Sequence, residues 1–204
     1  MNKKHKLLLF GGTFNPIHNA HLIVARTVAE QMGMDRVILI PNGIPPHKKI
    51  FVDPRYKYEM IKLAMGNEPL WDTTLYEIDK GTKAYTIETV RRYKQTLSNT
   101  IDKPYWLIGP DNINDLKNWY KIDELKKECV FIVGISSLTT CAFQNVAEQN
   151  LNGFNIKTVI IPTLDIRSTD IRERVSKGLS IRYLVPDAVE KYIKMNNLYS
   201  DSKL

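Results

Sequence analysis

Apolar and polar positions fall in alternating blocks along this chain, and each block implies an element. Leu7-Leu8-Leu9-Phe10 is a continuous apolar run, the mark of a strand buried on both faces of a parallel sheet. Leu22, Ala25, Val28, Ala29 and Met32 then recur at helical spacing and share one face. The alternation continues with a strand over 36–41, a helix over 54–65, a strand over 75–78 and a helix over 85–97. Strands follow over 104–109, 129–134 and 157–162, and helices near 169–177 and 186–196 close the chain. The stretch from 135 to 155 is the least readable, with a helix expected near 143–149. Strand and helix in strict alternation predict an α/β fold, a Rossmann-like open and mostly parallel sheet with helices on both faces. No repeat, low-complexity tract or linker interrupts the pattern, so the 204 residues are expected to form one domain over 1–204.

Ligands of such sheets bind at the carboxyl ends of the strands, and the first strand ends in Gly11-Gly12-Thr13-Phe14-Asn15-Pro16-Ile17-His18-Asn19-Ala20-His21. Glycines let the backbone approach a phosphate, and free N–H groups at the following helix start point at it. His18 and His21, three apart, stand about one turn from each other on one side of that helix. Two imidazoles aimed at one anion suit a reaction in which phosphate charge moves. A plain tight turn and a metal half-site compete with this reading, but no Cys, Asp or Glu accompanies the histidines at ligand spacing. The string is neither a Walker A loop nor a G-x-G-x-x-G fingerprint.

Composition narrows the partners. Lys and Arg number 29 against 22 Asp and Glu, a net charge of +7, which suits anionic ligands. The cations are scattered rather than gathered in a block or an aromatic-interleaved stripe, so small phosphorylated substrates fit better than nucleic acid. No apolar run reaches membrane-spanning length and no signal-peptide pattern is present. Two cysteines, Cys129 and Cys141, are too few for a disulfide scaffold. Reduced thiols and a cytoplasmic location are expected.

Five further strings fall at strand ends or in loops. Ile166-Arg167-Ser168-Thr169-Asp170-Ile171-Arg172 follows the last strand, with Ser168 or Thr169 able to cap a helix and Arg172 one turn in. Ile108-Gly109-Pro110-Asp111 places a glycine where a nucleotide could approach, and an aspartate just beyond it that can accept from ribose hydroxyls. Pro45-Pro46-His47-Lys48 offers a lysine and a protonatable histidine on a stiff loop. Ala84-Tyr85-Thr86 and Trp119-Tyr120 supply aromatic rings and a hydroxyl. Taken singly, each has a plain structural explanation: a capped helix, a turn, a solvated basic loop, a core tryptophan.

Together the strings resemble a known family. The stretch from Gly11 to His21 is similar to the G-x-F-x-P-x-H-x-G-H signature of the nucleotidyltransferase superfamily. Its Gly-Gly-Thr-Phe opening, with Pro-Pro-His-Lys, Tyr-Thr and Trp-Tyr, resembles the bacterial nicotinate-mononucleotide adenylyltransferases. The segment 166–172 resembles the superfamily's I-S-S-T-x-I-R motif, and 108–111 its I-G-x-D string. The chain departs from the usual pattern at Asn15, where Asp is common, at Ala20 for Gly, and at Arg167 for the first Ser. It also carries Gly134-Ile135-Ser136-Ser137 where many relatives have an Arg-Pro-Gly turn.

The resemblance implies transfer of AMP from ATP to nicotinate mononucleotide, giving nicotinate adenine dinucleotide and pyrophosphate. It makes His18 and His21 catalytic. It assigns ATP to Gly11, Gly12, Thr13, Phe14, Gly109, Asp111, Arg167, Ser168, Thr169 and Arg172. The mononucleotide falls to Asn15, His47, Lys48, Tyr85, Thr86, Trp119 and Tyr120. Mg²⁺ is expected with ATP and no metal site on the protein. Nucleic acid and membrane are not expected as partners, and homo-oligomerisation stays open. Transfer to phosphopantetheine, a catalytically silent nucleotide-binding regulator and a basic nucleic-acid-binding protein are the competing functions.

Overall fold

A computed structural model describes residues 4–43, 52–109, 112–113, 115–136 and 153–200. Six strands form one sheet: β1 (Leu7–Gly12), β2 (Arg36–Pro41), β3 (Trp71–Thr73), β4 (Tyr105–Ile108), β5 (Val130–Ser136) and β6 (Ile156–Ile161). Every pairing is parallel, in the order β3-β2-β1-β4-β5-β6. This is the doubly wound order, in which the chain builds outward from β1 in one direction and then restarts beside it at β4. Neighbouring crossovers leave that junction on opposite faces, which opens a crevice at the carboxyl ends of β1 and β4.

The inner strands β1, β2, β4 and β5 are mostly apolar because both faces are covered. Side chains alternate across the sheet, so Leu8, Val37, Leu39, Leu107 and Ile132 enter one core while Leu7, Leu9, Ile38, Ile40, Phe131 and Val133 enter the other. The first core is closed by α1 (Asn19–Met32), α2 (Pro54–Met65), α6 (Ser168–Ser176) and α7 (Asp187–Met195). Ala25, Val28, Met60, Ile61, Ile171, Val189 and Ile193 are their buried contributions. The second is closed by α4 (Thr86–Thr96) and α5 (Ile122–Glu128), through Ile87, Val90 and Leu125.

Local signals set the helix ends. Asp53 caps α2 by accepting from the Arg55 N–H at 2.8 Å, with Pro54 in the first helical position where its missing N–H costs nothing. Gly33 ends α1 in the left-handed region at φ 61°, which a side chain would resist.

The expected strand over 75–78 is a correction. The edge strand is β3, and residues 76–79 form a helical turn, α3 (Tyr76–Asp79). Trp71 to Thr73 pair with Val37 to Leu39, and the Thr73 hydroxyl extends the pairing by donating to the Leu39 carbonyl at 2.8 Å. Thr74 then ends the strand: its hydroxyl accepts from the Tyr76 N–H at 3.1 Å and turns the chain into α3. The other expected elements are present within a residue or two of their expected bounds. The helix expected at 143–149 lies outside the described residues. None of the described helices is long and apolar enough to cross a membrane.

Candidate active site

β1 ends in Gly11 and Gly12, and both glycines are required by what closes on them. A Cβ on Gly11 would stand 2.7 Å from the Trp106 ring, and one on Gly12 would stand 2.8 Å from the Phe14 ring. Phe14 is 1% exposed and meets Phe10 and His21 edge-on, with centroids 5.3 and 5.0 Å away. The loop that follows is tied to the end of the chain. Arg172 Nη1 donates to the Asn15 carbonyl at 2.7 Å, and the Ser168 hydroxyl to the Pro16 carbonyl at 2.9 Å. Tyr199, turned inward after α7, donates its hydroxyl to Asn15 Oδ1 at 2.6 Å, with both groups buried. Residues 166–172 and 11–21, remote in sequence, thus form one loop pair.

The two histidines stack with centroids 3.6 Å apart and planes 21° from parallel. His21 Nδ1 accepts from the His18 backbone N–H at 3.3 Å. A neutral His21 therefore carries its proton on Nε2 and presents a donor there. His18 is 5% exposed, and its Nδ1 is buried with no partner among the described residues. Burial brings the His18 pKa down to about 4. Burial, and then the neighbouring His18, hold His21 well below the usual imidazole range. Both rings are neutral in the free protein at pH 7.

This depression has a stability consequence. The unfolded chain binds protons on these imidazoles near pH 6.5, while the folded protein leaves His18 unprotonated until about pH 4. Stability is thus intact above pH 6.5 and is lost as pH falls from there toward 4. His18 alone accounts for about 3 kcal/mol, because a tenfold change in proton affinity between the unfolded and folded chain is worth about 1.36 kcal/mol. Urea midpoints between pH 7 and pH 4 should fall further for the wild type than for a His18→Gln variant. Identical pH dependence in the two proteins would remove the assignment to His18.

Among the described residues, three cavities run along the carboxyl edge of the sheet. The smallest, about 170 Å³, is walled by apolar groups of Phe10, Ala20, Val24, Leu107, Ile108 and Ile161, with His21 and Gly109 at its border. The central one, about 470 Å³, shares Phe10 and Gly109 with the first and is lined by Gly11, Gly12, Thr13, Asn42, Glu77 and Thr86. The third, about 610 Å³, is lined by Ala84, Tyr85, Thr86, Asn112, Trp119 and Tyr120. Thr86 and Trp119 belong to both the second and the third.

The structure therefore brings His21, Gly11, Gly12, Thr13, Gly109, Thr86, Trp119 and Tyr120 to one continuous crevice, and His18 adjoins it through its stacking on His21. Thr169 and Arg172 line none of these cavities; Arg172 is tied to the 11–21 loop at Asn15, and its Nη2 stands 3.4 Å from the Thr169 hydroxyl. Arg167 immediately precedes α6, and its Nε donates to Asp165 at 3.0 Å in an exposed ion pair. The Tyr85 N–H donates to Glu88 at 3.0 Å, and its ring lies against Tyr120 with centroids 4.2 Å apart. Asn15 directs its side chain toward Tyr199 rather than into a cavity. His47, Lys48 and Asp111 lie outside the described residues. Among the described residues no group of three or more His, Cys, Asp or Glu could hold a metal ion.

Sequence reasoning missed Asn42, Lys57, Glu77 and Tyr199. Lys57 had a signal: it stands three and four residues before Met60 and Ile61, on the buried face of α2. Tyr199 had none, being 184 residues from its partner.

A glycine loop between a strand and a helix, two stacked imidazoles at its end and an arginine from the last α/β unit are the marks of a nucleotidyltransferase domain. The profile of the Cytidylyltransferase-like family matches residues 9–174, and the chain belongs to that family. Within it, this chain is a member of the nicotinate-nucleotide adenylyltransferases. A probable nicotinate-nucleotide adenylyltransferase of Caldicellulosiruptor bescii is 38% identical over 197 residues, 95% of this chain and 98% of its own length. The nicotinate-nucleotide adenylyltransferase of Bacillus subtilis is 37% identical over 202 residues, with 95% and 98% covered. The fold is also that of Plasmodium falciparum nicotinic acid mononucleotide adenylyltransferase complexed with NaAD. That likeness has a TM-score of 0.78 at 20% identity, over 96% of this chain and 97% of the other.

Proposed function

We propose that this protein transfers AMP from ATP to nicotinate mononucleotide, forming nicotinate adenine dinucleotide and pyrophosphate in NAD biosynthesis. It would do so in the cytoplasm, as one domain over residues 1–204. The observation that carries the reading is the stacked His18/His21 pair between the apolar cavity and the phosphate loop. A phosphate monoester is already mostly dianionic at pH 7, so the mononucleotide needs no strong base. One of its oxygens attacks the α-phosphorus of ATP, the bond to the bridging oxygen of the β-phosphate breaks, and pyrophosphate leaves with that electron pair. Catalysis is then positioning and charge stabilisation, with no covalent enzyme intermediate.

Each cavity suits one part of the substrates. The apolar one takes a purine, the central one the phosphates and ribose, and the aromatic one the pyridine ring. Gly11, Gly12, Thr13 and Phe14 shape the phosphate loop, while Gly109 and Asp111 serve the nucleotide. Ser168, Thr169 and Arg172 hold the triphosphate, and Asn15 supports the loop beneath the mononucleotide. His47 and Lys48 add charge for the mononucleotide phosphate. Mg²⁺ arrives on ATP as part of the substrate, held by phosphates and waters. The backbone N–H groups of Thr86 and Tyr120 make no hydrogen bond to other described residues and are free to take a pyridine carboxylate. Pyrophosphate release that requires both ATP and nicotinate mononucleotide tests the reading. Release from ATP alone at the same rate as with both substrates would refute it.

Arg167 is the chain's own variation on the triphosphate site. Its partner Asp165 is exposed, and exposed pairs are worth about 0–1 kcal/mol, so the guanidinium is free to exchange carboxylate for phosphate. Arg167→Ala should raise the KM for ATP and leave that for the mononucleotide nearly unchanged. Unaltered ATP kinetics would leave Arg167 as a surface ion pair only.

A further inference from the structure

Lys57 is 3% exposed, on the face of α2 that packs against the sheet. Burying an ammonium is costly unless its hydrogens are used. Here two of the three are used on one residue. Lys57 Nζ donates to the backbone carbonyl of Asn42 and, at 2.8 Å, to Asn42 Oδ1. Asn42 directly follows β2, and its own N–H donates to the Gly12 carbonyl at 3.0 Å, next to the phosphate loop. Its amide nitrogen Nδ2 donates to the Thr13 hydroxyl at 3.3 Å.

The chemistry of the lysine removes the ambiguity of that amide. An ammonium has only donors, so it must face Oδ1, which turns the NH₂ toward Thr13. The Thr13 oxygen then accepts from Asn42, and the hydroxyl proton is left to donate elsewhere. Thr13 and Asn42 both line the central cavity. Burial lowers the Lys57 pKa to about 8, against the opposing charges of Glu77 and Asp53, so the group is still mostly cationic at pH 7.

We propose that Lys57 is a positioning residue for adenylyl transfer, locking the Asn42 amide so that Asn42 Nδ2 and the Thr13 hydroxyl face the phosphate-bearing substrate as donors. This rests on the adenylyl-transfer reading and adds to it a residue that touches no substrate. The chain Lys57–Asn42–Thr13 works as a unit, so losses along it are not additive.

The test is steady-state kinetics of the full chain with ATP and nicotinate mononucleotide, for wild type, Lys57→Met, Asn42→Ala, their double variant and Asn42→Asp. Each single change should lower kcat/KM by roughly tenfold or more, as a misplaced contact does. The double variant should be no worse than Asn42→Ala alone. Asn42→Asp keeps an acceptor for Lys57 and adds an opposite charge, so it should resist urea as well as the wild type. It loses the donor toward Thr13, however, and should lose turnover. An active Asn42→Asp, or additive losses in the double variant, overturns the inference. Should Lys57→Met fail to fold, Asn42→Asp still decides. Wild-type turnover in the same assay reports on the reaction itself. Its absence removes the adenylyl-transfer reading, whereas an active wild type with additive losses removes only the role of Lys57.

Discussion

His21→Ala should lower kcat by roughly 10²–10³, the cost of about 2.7–4 kcal/mol typical for a lost donor at a developing charge. The side chain is fixed on three sides: its Nδ1 by the His18 N–H, one ring face by the His18 ring, and its edge by Phe14. A donor held this way needs no reorganisation when charge builds on the transferring phosphate. Its effect belongs to the transition state, so the binding of nicotinate mononucleotide should change far less than kcat. His21→Asn, which retains an N–H donor at shorter reach, should recover part of the loss. Unchanged turnover in a folded His21→Ala variant would remove the catalytic role.

The second large effect concerns the pyridine substituent. The cavity between α4 and the 116–120 segment is lined by Thr86, Trp119 and Tyr120, and in the proposed reading the N–H groups of Thr86 and Tyr120 take the pyridine carboxylate. Donors suit a carboxylate, which has only acceptors. A carboxamide brings an NH₂ to the same place, sets donor against donor and forfeits a hydrogen bond to a charged group, worth about 1.5–3 kcal/mol. Nicotinate mononucleotide should therefore be preferred over nicotinamide mononucleotide in kcat/KM by at least roughly tenfold and up to more than a hundredfold. Trp119→Ala should impair both substrates alike and leave the order of preference unchanged, because stacking does not distinguish acid from amide. Equal use of the two mononucleotides would place the carboxylate site elsewhere.

What the sequence made legible follows from the range of the forces involved. The β1–loop–α1 unit is read from neighbouring residues: an apolar run, two glycines, and a helical period beginning at Leu22. Its imidazole pair is anticipated by the spacing of three. His18, however, is the extended N-cap of α1 rather than a helical residue, and the bond from its N–H to His21 Nδ1 completes the arrangement. The joining of 166–172 to the same loop depends on the Arg172–Asn15 and Ser168–Pro16 bonds, which no local pattern encodes. At 75–78 a short run in which Leu75, Tyr76 and Ile78 are large apolar or aromatic residues imitates a strand. The Thr74 hydroxyl and the pairing of Trp71–Thr73 with β2 decide otherwise, and both are details below the reach of periodicity. Glu77 looks like a solvated carboxylate in sequence. It is buried, accepts from the Thr89 hydroxyl at 2.7 Å, and is pushed up from the ordinary carboxylate range chiefly by burial. Buried polar groups of this kind are fixed by tertiary partners, so neither Glu77 nor Lys57 declares itself in composition or charge.

Direct attack on the α-phosphorus is tested most directly by following the α-phosphate of ATP. With α-labelled ATP and nicotinate mononucleotide, all transferred label should appear in the dinucleotide, none on the protein, and none should move when the mononucleotide is omitted. With γ-labelled ATP the label should leave entirely in pyrophosphate. Label retained on the protein, or α-label released without the mononucleotide, would contradict direct transfer across the His18/His21 site.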